Sequence, residues 1–218
     1  MTIAFGLTCE DGALLATDSL TQQHQPNGWI LVDRTRRKFG ELGGLIRYVA
    51  SGCLPPYEPD PSWATRRLED VAEAMLGELI RLELPAEASP GGLWHPTHLM
   101  VAGGPPGEAP GVVLVGSDRD SGLRAAIGGP PLVAGSMGAW AAETGAQFGD
   151  SPRRLEQALP FALAACRRYI AEDWRAWGFE RWEDFHAEEP GGAVPPAAPP
   201  FHVALIRREG VELLEVPE

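Results

Sequence analysis

Large apolar residues alternate with smaller ones at the start of the chain, and this alternation predicts the first element. Within residues 2–8 every second residue is a large apolar one, which is typical of an extended strand with one buried face. Asp11-Gly12 follows and suits the positive φ angles of a tight turn. Residues 13–17 then form a mostly apolar return strand. The sequence therefore predicts an opening β-hairpin.

The remaining strands are predicted from short apolar runs bounded by turn residues. Residues 21–33 are polar and rich in turn formers, so we expect a loop there. A second hairpin turns at Gly43-Gly44, and the last hairpin of the chain turns at Glu209-Gly210. The strands predicted after the first hairpin are residues 38–42, 45–50, 99–102, 112–116, a short segment ending at Ile127, 202–207 and 211–216.

Helical periodicity is clearest between residues 68 and 80, where apolar residues recur at three- and four-residue spacing with charged residues between them. Ser62 is predicted to cap this helix. A second helix is predicted over residues 137–148. A third begins at Ser151 and its proline, because proline is favoured at the first helical position. Pro160 either kinks this third helix or marks its true start.

The order of elements is strands, helix, strands, two helices and strands, which favours an α+β class with antiparallel sheets. We expect residues 1–218 to form a single domain. Residues 174–200 carry several aromatic residues and then a Pro/Ala-rich run, and we interpret them as an inserted excursion. These aromatic residues either line a contact between subunits or cover the core of their own chain.

Composition narrows the classes of function. The net charge of −12 argues against a nucleic-acid partner, because binding phosphates relies on clustered Lys and Arg. No apolar run reaches the length of a membrane span, and we expect neither a signal peptide nor a membrane partner. Cys9, Cys53 and Cys166 are far apart and are expected to be reduced, which favours a cytoplasmic protein. We expect no metal and no cofactor; His95 and His98 are interpreted as a loop feature.

The candidate chemistry rests on polar residues that stand at the ends of predicted strands. Thr2 begins the first strand, Asp18 ends its partner, and Lys38 opens the next one. Ser51-Gly52 closes the second hairpin, and Ser136 precedes a predicted helix. Taken singly, Asp18 can cap a turn, Lys38 can lie on a solvated face, and Ser136 can be an ordinary helix N-cap. For Asp18 and Lys38, the joint occurrence with Thr2 and Ser51-Gly52 favours a functional site, whereas both interpretations of Ser136 stay open.

These residues resemble those of the β-type subunits of the proteasome family, including the bacterial relatives HslV and Anbu. The start of the chain is more similar to Anbu than to a processed proteasome subunit. The resemblance covers residues 2–170 and resumes at the last hairpin. The matching stretches are Thr2-Ile3, residues 11–18, Lys38-Phe39, residues 50–52, residues 98–103 and residues 135–138.

The resemblance implies a four-layer αββα N-terminal nucleophile (Ntn) hydrolase sandwich, with two antiparallel sheets flanked by helices. It also implies a role for each residue. Thr2 supplies the hydroxyl nucleophile, and its own α-amino group, which titrates at ~7.7–8.0, is the base. Lys38 lowers the proton affinity of its surroundings, and Asp18 pairs with Lys38. The Gly52 N–H faces the oxyanion, and Ser136 donates a hydrogen bond to the α-amine or accepts one from it.

The expected function is therefore a threonine-type endopeptidase acting on peptide or protein substrates once Thr2 is exposed. While Met1 remains, the nitrogen of Thr2 is an amide and is not a base. Two alternatives stay open: a non-catalytic, proteasome-like assembly protein that retains Met1, and a small-molecule amidase with the same mechanism. The resemblance further implies a homo-oligomer, as a ring or spiral, and leaves an ATPase partner undetermined.

Overall fold

The computed structural model describes residues 3–24, 30–51, 58–82, 98–116, 123–135, 151–176, 178–181 and 197–217. Within these ranges the chain forms two five-stranded antiparallel sheets, a separate two-stranded ribbon and two α-helices. The predicted α+β class with antiparallel sheets is confirmed. In the same part of the chain, no helix is long and apolar enough to span a membrane.

The first sheet joins the two ends of the chain. The opening hairpin is confirmed, but Cys9 pairs directly with Gly12, so its turn lies at Glu10-Asp11, one residue earlier than predicted. The last hairpin is also confirmed, but Arg207 pairs with Gly210, so its turn lies at Arg208-Glu209, one residue earlier than predicted. Its first strand lies beside the opening hairpin. In spatial order, the strands are β10 (Leu132–Gly135), β1 (Ile3–Cys9), β2 (Gly12–Asp18), β11 (Phe201–Arg207) and β12 (Gly210–Val216).

Two parts of the sheet structure were not predicted: the two-stranded ribbon and strand β10. The expected loop over residues 21–33 is wrong at both ends, because β3 (Thr21–His24) pairs with β4 (Ile30–Asp33) as an antiparallel ribbon. β3 is polar and the apolar part of β4 is only three residues long, so neither strand shows a period in the sequence, and backbone hydrogen bonds form the ribbon. Strand β10 was not predicted either, since four residues are too few to show periodicity.

The second sheet is built from the middle of the chain. The second hairpin is confirmed, but Gly43 pairs with Ile46, so its turn lies at Gly44-Leu45, one residue later than predicted. Lys38 precedes its first strand instead of opening it. The strand expected to end at Ile127 is shorter than predicted. In spatial order, the strands are β5 (Gly40–Gly43), β6 (Ile46–Ser51), β7 (His98–Gly103), β8 (Gly111–Gly116) and β9 (Leu123–Arg124).

The first helix, α1 (Leu68–Leu82), confirms the clearest periodic signal, but its predicted cap is wrong. Ser62 lies in a short 3₁₀ helix, Pro61–Thr65, which precedes α1. The Asp60 side chain caps that 3₁₀ helix by accepting a hydrogen bond from the Ser62 N–H at 2.9 Å.

The second described helix, α2 (Leu155–Ala176), starts later than Ser151. Its first N–H group, at Leu155, donates to the Asp11 carboxylate at 3.0 Å, so a side chain from the opening hairpin performs the capping. The helix runs through Pro160, which is therefore not its start. The helix predicted over residues 137–148 lies outside the described residues.

Apolar side chains collect in three buried clusters. One lies between α2 and the first sheet, one between the two sheets, and one between the second sheet and α1. Successive strand residues divide between neighbouring clusters: Leu14 contacts the first and Leu15 the second. Met100 and Val101 divide in the same way between the second and the third. Both faces of each sheet are thus covered.

Two aromatic residues that were predicted to lie in the excursion pack against the core. α2 continues to Ala176, so residues 174–176 belong to this helix and not to an excursion. Trp174 is buried in the cluster between α2 and the first sheet, and Phe179 packs against the same cluster. These two residues cover the core of their own chain, as one of the two alternatives expected. Trp177 and Trp182 lie outside the described residues.

Candidate functional site

The structure brings two of the five predicted site residues together in the interior. Asp18 ends β2 and has no exposed surface, while Lys38 lies just before β5 with a side chain only 7% exposed. The Lys38 Nζ donates to Asp18 Oδ1 at 2.8 Å. Charges this deeply buried are stable only when paired and hydrogen-bonded. Lys38 is therefore not on a solvated face, and Asp18 binds Lys38 in addition to capping the turn at Leu20.

The Asp18 carboxylate accepts hydrogen bonds from three separate parts of the chain besides Lys38. Oδ1 also accepts from the Ile3 N–H at 2.9 Å. Oδ2 accepts from the Leu20 N–H at 3.1 Å and from the Ala198 N–H at 3.4 Å. One buried carboxylate therefore ties together the start of β1, the end of β2 and the segment that enters β11.

Burial makes Lys38 an unusual amine. Removal from water lowers the pKa of Lys38 from the ordinary lysine value of 10.5, and the Asp18 carboxylate opposes this shift without cancelling it. Lys38 is also the one lysine in a chain whose other side-chain cations are all arginine. Arginine stays charged at any accessible pH, whereas a buried lysine can exchange its proton. This composition is a sequence signal that singles out position 38.

A short segment before β11, residues 197–200, covers Asp18. Ala197 and Ala198 are 1% and 0% exposed. The Ser19 N–H donates to the Ala198 carbonyl at 3.3 Å, and the Ala198 N–H donates to Asp18, so this residue is fixed on both sides. The segment was predicted to belong to the excursion, and its place beside Asp18 was not predicted. Its proximity follows from the pairing of Phe201 with Asp18 between β11 and β2.

The two cysteines that the structure describes are not reactive. Cys166 on α2 is fully buried, and burial, reinforced by the negative charge of Asp18, raises its pKa to about 12. Cys9 behaves similarly, since burial and the nearby carboxylates raise its pKa to about 11. Both cysteines are free, as expected for reduced thiols, and neither is suited to nucleophilic chemistry.

Thr2, Gly52 and Ser136 lie outside the described residues, but each adjoins a described strand end. Ile3, which follows Thr2, pairs with Gly135, which precedes Ser136. Ser51, which precedes Gly52, ends β6 in the other sheet. The ends of β1 and β10 that adjoin Thr2 and Ser136 are therefore neighbours.

Strand β1 packs against three strands of the second sheet. Thr8 accepts a hydrogen bond from the Val112 N–H of β8 at 3.1 Å. β1 also contacts β7 and β6. Of these, β6 is the strand that ends at Ser51.

Two histidines lie beside the strand ends that carry Ser51 and Asp18, and the sequence did not predict this. His98 begins β7 and pairs with Ser51, so it is a strand residue, and the loop interpretation is wrong. His202 in β11 pairs with Thr17, beside Asp18. The Nδ1 atom of each is buried and has no hydrogen-bond partner among the described residues. Their pairing, not their spacing in the sequence, reveals this placement.

Among the residues that the structure describes, no group of three or more His, Cys, Asp or Glu side chains is arranged to hold a metal ion. No protein-family model matches the sequence, and a search of curated proteins found no match.

Proposed function

We propose that this protein is a threonine-type Ntn hydrolase that cleaves peptide bonds with Thr2 as the nucleophile. One observation carries the proposal: Asp18 Oδ1 accepts from both Lys38 Nζ and the N–H of Ile3, the residue that follows Thr2. A buried lysine and its carboxylate are thus anchored to the backbone beside the candidate nucleophile. Buried titratable groups with a perturbed pKa and a specific charge partner cluster at functional sites, which supports the proposal.

In the proposed reaction the Thr2 hydroxyl attacks the carbonyl carbon of the peptide bond. The free α-amine of Thr2 takes the hydroxyl proton and passes it to the leaving amine, which leaves an ester on Thr2. Water then hydrolyses the ester and restores the hydroxyl. Lys38 provides a nearby positive charge that favours the neutral form of the α-amine, and Asp18 holds Lys38 in place. The Gly52 N–H stabilises the oxyanion, and Ser136 orients the amine.

We also propose the finer architecture, a four-layer αββα sandwich. The three apolar clusters support it, because they lie between α2 and the first sheet, between the sheets, and between the second sheet and α1. In this arrangement Ile3, the residue that follows the proposed nucleophile in the sequence, begins β1.

The resemblance further supports a homo-oligomer, and we propose that the chain self-associates as a ring or spiral. Analytical ultracentrifugation is expected to show a species several times heavier than the 23.4 kDa chain. A single boundary at the monomer mass across the concentration range would contradict self-association.

Peptide hydrolysis tests the proposed function. Any residue that precedes Thr2 must be absent, so intact mass first establishes that the α-amine is free. A mixed-sequence peptide library is then incubated with the wild type, Thr2→Ala and Thr2→Ser. We expect cleavage by the wild type, loss of at least ~10³-fold in Thr2→Ala, and residual activity in Thr2→Ser, which keeps a hydroxyl. Equal cleavage by wild type and Thr2→Ala rules out the nucleophile; no cleavage by a protein with a free amine favours the assembly alternative.

A further inference from the structure

The segment over Asp18 is held by two side chains that are remote from it in the sequence. Arg34 Nε donates to the Pro199 carbonyl at 2.8 Å, and Trp174 Nε1 donates to the Ala197 carbonyl at 3.0 Å. These carbonyls flank Ala198, whose N–H reaches Asp18 Oδ2. Arg34 comes from the stretch before β5, and Trp174 comes from the last turns of α2.

We propose that Arg34 and Trp174 are positioning residues of the Thr2 site, acting through residues 197–200, which they anchor against Asp18. The inference rests on the proposed function and deepens it, because it names residues on which the geometry of the site depends. Neither side chain is given a role in bond making. Each fixes one carbonyl of the segment that donates a backbone N–H to the carboxylate.

The anchoring has two physical consequences for Asp18. The Ala198 N–H occupies Oδ2 together with the Leu20 N–H, which leaves Oδ1 directed at Ile3 and Lys38. The buried Ala198 also keeps water from the carboxylate, and exclusion of water strengthens the electrostatic interaction of the pair.

Among the residues that the structure describes, burial and the Asp18 carboxylate set the pKa of the Lys38 amine. Cys166 faces Asp18 from α2 but is a neutral thiol. Arg167 of α2 lies over the Phe201 ring, with its guanidinium carbon 5.9 Å from the ring centre. The Arg34 guanidinium is the cation that holds the segment itself. The Lys38 titration is therefore expected to respond to the water that the segment excludes.

Since the chain has one lysine, its protonation can be measured without assignment and without any activity. Protein labelled with ¹³C-lysine gives one Cε signal whose pH titration reports on Lys38. The anchors are removed in Arg34→Met and Trp174→Phe, the second of which keeps an aromatic ring. The matched controls are Arg153→Met, which loses an exposed contact to Glu10, and Trp63→Phe, which changes a buried tryptophan beside α1.

We expect both anchor variants to move the Lys38 titration to higher pH by about one unit, because water regains access to the pair; full burial can shift such a group by ~3–5 units. Both controls should titrate like the wild type. Peptide hydrolysis should show a lower kcat at nearly unchanged KM in the anchor variants alone.

The inference is overturned if the anchor variants fold and their Lys38 titration lies within ~0.2 pH unit of the wild type. A loss of hydrolysis in those variants would not change that conclusion. If Trp174→Phe fails to fold, Arg34→Met decides the question alone. If the titration moves as expected but the wild type hydrolyses nothing, the anchoring of the pair stands and the proposed function fails.

Discussion

At the scale of single residues, the one lysine of the chain is buried against a carboxylate, a position in which an arginine would behave differently. Seventeen of its 18 basic side chains are arginine, yet the cation buried against Asp18 is a primary amine. A guanidinium would keep its charge in that position, whereas an amine with a lowered pKa responds to its neighbours. A lysine at position 38 therefore fits a role in proton chemistry better than the role of a structural ion pair.

Replacing Asp18 should destabilise the protein more than replacing Lys38. Asp18→Asn leaves Lys38 without its counter-charge and turns an amide NH₂ towards backbone donors, so we expect a loss of about 3–5 kcal/mol. Lys38→Met should cost less, because Asp18 keeps its three backbone N–H donors. Urea unfolding measures both. The control, Glu172→Gln, breaks an exposed pair with Arg168 and should cost under ~1 kcal/mol. A larger loss in Lys38→Met than in Asp18→Asn would contradict this account.

The pH dependence of the same variants follows from the lowered pKa of Lys38. Between its folded-state pKa and the ordinary value of 10.5, the unfolded chain binds more protons at this position than the folded chain. The unfolding free energy of the wild type should therefore rise with pH in that window, relative to Lys38→Met. Below the window the difference between the two proteins should be constant. A difference that falls as pH rises towards 10.5 would show that the folded state favours the charged amine.

At the scale of elements, side-chain periodicity predicted the structures that pack on one another and missed those held by backbone pairing or remote caps. The opening hairpin and α1 show clear apolar periods and were predicted well. The ribbon of β3 and β4 carries no apolar period. The start of α2 depends on Asp11, which is 144 residues away in sequence, so local capping rules placed it too early.

The contact between the sheets can be tested at Gly6 of β1. A Cβ there would lie 2.6 Å from Val112 Cγ1 and 2.7 Å from Met100 Sδ, both in the facing sheet. We expect Gly6→Ala to lower the unfolding free energy by about 1–3 kcal/mol through overpacking. Gly210→Ala is the matched control, since its Cβ meets nothing within 4 Å, and should change stability by less than ~0.5 kcal/mol. Equal effects of the two changes would show that the sheets are not packed as described.

At the scale of the whole molecule, the candidate site depends on contacts between distant parts of the chain. The resemblance to the proteasome family implied that Asp18 pairs with Lys38, and the structure contains this pair. The sequence did not predict that Ala198 donates to Asp18 across 180 residues, or that Arg34 and Trp174 hold its segment. Those contacts follow from the pairing of β11 with β2, and no local pattern encodes that pairing.

The central claim, that Thr2 is an acyl-accepting nucleophile, is tested most directly by trapping the acyl-enzyme. Protein whose α-amine is shown to be free by intact mass is incubated with a peptide β-lactone, a reagent that acylates activated hydroxyls. We predict one adduct per chain, located on the Thr2 hydroxyl by peptide mapping, absent from Thr2→Ala and greatly slowed in Lys38→Met. An unmodified protein, or an adduct that persists in Thr2→Ala, would contradict the account.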